Sequence, residues 1–256
     1  MQRLQEDIDK LRCWARKCCM RFQPVKCNMM SVTRKRSKAR YQYKLEGSVL
    51  SWVKSVKYLG VTISEDLRWN VHIGNTCSKA YRTLGLLRRN LSGCPPSVRE
   101  TAYKGFIRPV LEYASVVWDP HCKKLTNDLE KVQNRSARFV LSDYSYEPGS
   151  MTNIMQRLQW KPLKTRRKHA RMTLLYKGLQ GMANIPTKDL IQQNNRTRNQ
   201  HDLSFRIPYS RTDCYKHSFI PRTIRDWNAL PQSVTASAEM SKTPISTFVN
   251  EVKSLD

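Results

Sequence analysis

A chain of 256 residues is long enough for one large domain or two small ones and can bury a sizeable core. Its 46 Lys and Arg stand against 20 Asp and Glu, a net charge of +26 with a pI near 10.1. That is far beyond what solubility requires, so it points to a polyanionic partner, nucleic acid first, and speaks against a purely structural helical protein. No apolar run approaches the ~18 residues of a membrane span, and no membrane partner is expected.

The charge is uneven. Residues 1–80 carry 17 basic and 6 acidic side chains, 81–150 carry 11 and 7, and 151–256 carry 18 and 7. Two basic ends therefore flank a more neutral middle, which assigns packing to the middle and anion contacts to the ends. The N-terminal MQRLQEDIDK is charged, unlike a secretory leader. The eight cysteines include no Cys-x-x-Cys pair and read as reduced thiols of an intracellular protein, nuclear or cytoplasmic.

In chain order, Gln2 to Phe22 places Leu4, Ile8, Leu11 and Ala15 at helical spacing, with Pro24 ending the helix. A helix met at the first residue, with no cap before it, suggests a truncated reading frame. Cys27 to Thr33 reads as a buried strand. Arg34 to Arg40, RKRSKAR, is a basic loop: a phosphate contact, a nuclear-import signal, or a solvated hairpin tip. Tyr41 to Leu45 and Val49 to Val53 are short strands around a Glu46-Gly47-Ser48 turn. Ser55 to Ile63 alternates and is β-branched, so it reads as a third strand, with Gly60 as a bulge or a place of close backbone approach. Together these strands form a small antiparallel set. From Val71 the period changes to that of a helix. Val71, Ile73, Ala80, Leu84, Leu87 and Leu91 form its apolar stripe, and Arg82, Arg88 and Arg89 lie off it.

Cys94-Pro95-Pro96 breaks that helix, and Ser97-x-x-Glu100 reads as a capping box for the next. This second helix carries Val98, Tyr103, Phe106, Ile107, Leu111 and Val117, with a kink expected before Pro109. Asn127-x-x-Glu130 reads as the cap of a third helix. A short helix follows over Met151 to Gln159, and a longer one over Leu163 to Met182. The long one holds Lys164, Arg166, Arg167, Lys168 and Arg171, the densest basic cluster of the chain, with no acid nearby in sequence. Such a cluster is either a solvated face or a site for an external anion. Pro186 to Gln200 is a polar linker, Leu203 to Arg211 a possible short strand, and Ser246 to Leu255 a final helix. Trp227 and Leu230 read as core anchors.

Four segments in this order, FQPVKCNMM (22–30), KYLGV (57–61), RPVLEYASVVWDP (108–120) and LEKVQNRSARFV (129–140), resemble the end of the reverse transcriptase domain of non-LTR, LINE- or jockey-like retrotransposons. The closing YKHSFIPRTIRDWNALPQSV (215–234) resembles how many members of that family end. The resemblance implies an α+β, mostly α chain: a palm remnant over 1–70 with a primer-grip-like hairpin, a thumb-like helical bundle over 71–150, and a basic helical region over 151–256. It places Tyr58, Leu59 and Gly60 at the primer-facing surface. Arg82, Arg88, Arg89, Lys164, Arg166, Arg167, Lys168 and Arg171 then become candidate contacts to an RNA or DNA template-primer. Lys26 occupies the place where a family lysine can protonate the pyrophosphate leaving group as a general acid; the alternative is a loop lysine.

Polymerisation needs two divalent cations held by clustered carboxylates. The complete family enzyme uses Mg2+ on an aromatic-x-Asp-Asp turn. This sequence has no Asp-Asp pair, and Asp7 and Asp9 project from opposite sides of a helix. No metal site and no cofactor are expected in this chain. His121-Cys122 and Cys214-x-x-His217 are single pairs, short of the two spaced pairs that structural zinc uses. The expected function is the template-primer-holding part of an RNA-directed DNA polymerase that does not polymerise by itself, with the missing N-terminal polymerase portion as a partner. The alternative is a stand-alone basic RNA- or DNA-binding protein derived from it.

Overall fold

The computed structural model describes residues 2–33, 35, 38, 41–194, 203–239 and 244–255. The chain is α+β and mostly α, and it divides into two units, Met1–His72 and Ile73–Asp256. The regions expected at 71–150 and 151–256 thus share one unit.

In the first unit, helix α1 (Gln2–Lys17) is followed by a single 3-10 turn at Pro24–Lys26. Six short strands follow: β1 (Asn28–Met29), β2 (Lys44–Leu45), β3 (Ser48–Val49), β4 (Ser51–Trp52), β5 (Ser55–Tyr58) and β6 (Val61–Ser64). They do not form the single antiparallel set expected. They pair as three separate two-stranded ladders, of which β2–β3 and β5–β6 are antiparallel and β1–β4 is parallel. The expected buried strand over Cys27 to Thr33 shrinks to two residues, because its only ladder partner is the equally short β4. A small core forms where Ile8, Phe22 and Met29 meet Tyr43, Leu45 and Leu50. Gln5 closes α1 onto β2: its amide Nε2 donates to the Lys44 carbonyl at 2.9 Å and its Oε1 accepts the Lys44 N–H at 3.0 Å. Further along α1, Leu11 and Trp14 stay more than half exposed, so its stripe is only partly covered.

The strand expected over Ser55 to Ile63 is instead a hairpin. Tyr58 pairs with Val61 and Ser55 with Ser64, and Leu59-Gly60 form the two-residue turn. Both turn residues have positive φ, 44° and 85°, the type I′ geometry whose twist matches a hairpin. Gly60 therefore turns the chain where a bulge was expected. Leu59 hid the turn, since a γ-branched residue rarely occupies the left-handed region.

Helix α2 (Asn70–Asn90) follows. In the second unit its Ile73, Cys77, Ala80, Leu84 and Leu87 are buried, whereas Val71 is exposed. Next come α3 (Pro96–Ala102), a five-residue π turn (Tyr103–Ile107), α4 (Arg108–Glu112) and α5 (Ser115–Trp118). The π turn is how the chain absorbs Pro109. The ring supplies no N–H, and the Arg108 N–H reaches back five residues to the Tyr103 carbonyl. Phe106, Val98 and Val117, expected inside, are exposed; at Phe106 and Val117 the extra residue of the π turn and the left-handed Ala114 (φ 51°) rotate the face.

The remaining elements are α6 (Lys123–Leu141), α7 (Ser150–Leu158), α8 (Leu163–Leu179), α9 (Thr187–Leu190), α10 (Asp213–Lys216), α11 (Phe219–Asn228), α12 (Gln232–Glu239) and α13 (Ile245–Ser254). Neither expected cap acts as one. Helix α3 starts at Pro96 without a side-chain cap, and Glu100 accepts from the Trp160 indole at 2.9 Å. Glu130 lies inside α6 and caps a different helix: it accepts the N–H groups of Leu163 and Lys164, at 3.1 and 2.8 Å, at the start of α8. Around α8 the core is aromatic. Tyr176 and Phe248 stack with centroids 4.3 Å apart, and Trp227 and Leu230 are buried as expected. Asn228 acts as a strand edge for residue 205, accepting the Phe205 N–H at 3.0 Å and donating to the Phe205 carbonyl at 2.7 Å.

Candidate nucleic-acid interface

The hairpin tip offers an exposed surface in the first unit. Tyr58 is 64 % and Leu59 74 % exposed, and both are carried on the tight I′ turn with Gly60. Beneath them, His72 at the start of α2 accepts the Thr62 N–H through Nδ1 at 3.2 Å. Burial lowers the His72 pKa from its ordinary 6.5, so the ring stays neutral and keeps that lone pair. Lys26 is exposed at the end of the 3-10 turn. Most of the Arg34–Arg40 cluster lies outside the described residues; Lys38 pairs with Glu65 at 2.7 Å.

In the second unit Arg82, Arg88 and Arg89 are exposed; Arg82 and Arg89 lie on the side of α2 away from its buried stripe and Arg88 on the stripe's flank. Arg88 lies over the Tyr144 ring at 5.6 Å. Two further arginines cover tyrosines nearby, Arg135 over Tyr81 at 5.0 Å and Arg138 over Tyr146 at 4.4 Å.

The basic cluster of α8 is divided by the fold. Arg167 and Arg171 are 1 % and 3 % exposed, so neither is available to an external anion. Their carboxylate is Asp119, which accepts from Arg167 Nε at 2.7 Å and from Arg171 Nε at 2.9 Å. Arg222 completes the cluster, 3.2 Å from Asp119 Oδ2 and donating to the Asp119 carbonyl at 2.7 Å, while Asp226 takes Arg171 at 2.8 Å. Burial pulls the Arg222 pKa down, and the Asp119 charge opposes that. Arg166 is half-buried and makes a two-point pair with Glu112, which raises its pKa. Lys164 is exposed and Lys168 half-buried. The acid missing from the local sequence is thus Asp119, 48 residues from Arg167 and 52 from Arg171. Asp119 was not singled out in the sequence, although it sits in the Trp-Asp-Pro segment and Arg222 in the closing segment; the two family-like motifs meet in one buried ion cluster.

The described residues form no carboxylate set of the kind that divalent ions need. Asp7 and Asp9 pair with Lys10 and Arg12 along α1, at 3.5 and 3.4 Å, and among the described residues no three His, Cys, Asp or Glu side chains converge. His121 and His217 come together, but as parallel rings with centroids 4.1 Å apart. Burial first, then the neighbouring His121, Arg225 and Arg222, lowers the His217 pKa. All eight cysteines are free thiols, and burial raises Cys77 to about 11. No helix among the described residues is long and apolar enough to cross a membrane.

Comparison with known proteins gives this surface a context. The chain is 25 % identical over 151 residues to a probable RNA-directed DNA polymerase from transposon BS of Drosophila melanogaster, covering 57 % of this chain and 17 % of that protein. It is 33 % identical over 75 residues to a putative 115 kDa protein of the type-1 retrotransposable element R1DM of the same organism, covering 28 % of this chain and 7 % of that protein. The chain is thus similar, over part of its length, to retrotransposon proteins, one of them a probable RNA-directed DNA polymerase. It spans less than a fifth of the length of either relative. No protein-family model and no solved structure matches it.

Proposed function

We propose that this chain supplies nucleic-acid grip to a retrotransposon-type RNA-directed DNA polymerase and does not itself polymerise. The observation that carries the reading is the set of exposed cations left after internal pairing. Arg167, Arg171, Arg222 and Arg166 are used by Asp119, Asp226 and Glu112, whereas Arg82 and Arg89 make no ion pair among the described residues. Such cations bind phosphates by counterion release, without reading sequence. The hairpin residues Tyr58, Leu59 and Gly60 form a second contact, to the primer strand, and Lys164 adds charge on α8. Lys26 is a phosphate contact in this reading, since among the described residues no carboxylate set accompanies it for transfer chemistry.

The test is fluorescence anisotropy with an RNA–DNA hybrid over a salt series. Affinity should fall steeply with salt, and Arg82→Ala, Arg88→Ala and Arg89→Ala together should reduce the log–log slope by about 2–3. An unchanged slope would remove α2 from the interface. Primer extension with Mg2+ or Mn2+ should yield no product; any product overturns the claim of inactivity. A second reading, a self-standing binding module, is favoured by the closed aromatic core of the second unit around Trp227 and Phe248. It predicts cooperative melting of the purified chain.

A further inference from the structure

Three arginine–tyrosine pairs line one seam of the second unit, contributed by α2, α6 and the loop that follows α6. Tyr81 and Arg88 are seven residues apart on α2 and therefore share a face, about 10 Å along the axis. Arg135 and Arg138 are likewise neighbours on α6. The loop brings Tyr144 and Tyr146, which are 46 % and 81 % exposed.

The loop is tied down. Ser142 takes the left-handed conformation (φ 54°), and the Asp143 N–H closes the end of α6 on the Arg138 carbonyl at 3.1 Å. Arg99 donates to the Phe139 carbonyl at 2.7 Å and to the Ser142 hydroxyl. Arg138 donates to the Ser145 carbonyl, and Asp143 accepts the Ser145 N–H at 3.1 Å and faces Arg157 at 3.7 Å. Two large aromatic rings are therefore presented to solvent on a fixed backbone, each with a guanidinium on one side. Exposed tyrosine on an ordered loop costs little entropy to use, and a planar ring beside a guanidinium suits a nucleobase face.

We propose that this seam is a stacking platform for unpaired nucleotides of a single strand, with Tyr144 and Tyr146 as the stacking groups and Arg88, Arg135 and Arg138 holding the rings and the phosphates. A duplex hides its base faces, so it cannot use the platform. The inference rests on the nucleic-acid reading above and adds to it a preference for single strands.

The experiment uses the full chain and two probes of equal length, about 20 nucleotides (to exceed an ordinary site size): a polypyrimidine single strand carrying one 2-aminopurine, and a blunt RNA–DNA hybrid. Tyr144→Ala with Tyr146→Ala should weaken single-strand binding about ten- to hundredfold at fixed salt, leave the hybrid within about twofold, and abolish the 2-aminopurine quenching seen on binding. Tyr144→Phe with Tyr146→Phe should retain both affinity and quenching, since the ring faces remain. Equal losses on both probes, or unchanged single-strand affinity, would overturn the platform. A wild-type chain that binds neither probe at low salt would instead overturn the underlying nucleic-acid reading. Thermal unfolding by circular dichroism guards against misfolding, and a double variant that fails to melt like the wild type is replaced by Tyr146→Ser alone, with the same expectation of a single-strand loss confined to that probe.

Discussion

The two units differ in their most deeply buried tryptophans: the first has half-buried Trp52 and Trp69 beside exposed Trp14, and the second has two fully buried ones beside half-buried Trp160. In Met1–His72, Trp14 is 55 % exposed, and the core rests on Tyr43, Leu45 and Leu50 with three detached ladders. In Ile73–Asp256, Trp118 and Trp227 are fully buried, each indole donating to a carbonyl, Tyr113 at 2.8 Å and Leu203 at 3.0 Å. A short chain segment with two-residue strands has few long-range contacts with which to cover its apolar groups, whereas the longer helical segment can close around them. Fully buried aromatic packing is therefore concentrated in the second unit, and the first presents apolar and aromatic surface.

The largest effect should come from Asp119→Ala. Removing the carboxylate shared by Arg167, Arg171 and Arg222 leaves buried guanidinium groups uncompensated, a loss of about 3–5 kcal/mol. Urea unfolding followed by tryptophan emission checks it, and a loss under about 1 kcal/mol would mean that water reaches the cluster. The direct comparison of units is Trp227→Ala, expected to cost about 3–5 kcal/mol, against Trp14→Ala, expected to stay within about 0.5 kcal/mol. Similar costs for both would erase the contrast.

A smaller change sharpens it from the other side. Leu59→Asn should stabilise the first unit by about 0.5–1 kcal/mol, because Asn-Gly suits a type I′ turn and Leu does not. A fall in melting temperature would show that the Leu59 side chain supplies contacts that outweigh its backbone strain.

The smallest effect concerns pH. His72 and His217 are both held below the ordinary 6.5, so between the folded value and 6.5 the unfolded chain binds more protons. Their contribution to stability is full above 6.5 and is lost as pH falls through it towards the folded values. Unfolding midpoints measured between pH 8 and pH 5 should decline, and His72→Gln should flatten part of the decline; a midpoint that rises on acidification would reverse the sign and exclude these two groups as its source.

Much of the helical scaffold was legible because helices are local. The stripe of Ile73, Ala80, Leu84 and Leu87, the start of α8 at Leu163 and the anchors Trp227 and Leu230 all follow from spacing and residue type. The hairpin was only half legible: Val56 and Ile63 mark strand, but Leu59 masks the reversal between them. Of the candidate interface, Arg82, Arg88 and Arg89 lie where periodicity puts them, while Arg167 and Arg171 do not. Tyr144 and Tyr146 carried no sequence signal beyond their place in a turn region.

What the sequence by itself determined is the basic excess, the helical periodicity, the absence of an Asp-Asp pair and the order of the family-like segments. Only the tertiary structure decided which cations face water and which face Asp119, which strands pair, and which tyrosines meet arginines. The reason is range. Periodicity and capping depend on neighbours within a turn or two of helix, whereas a guanidinium's partner 50 residues away is chosen by how helices pack, and that choice converts a basic run from surface charge into core.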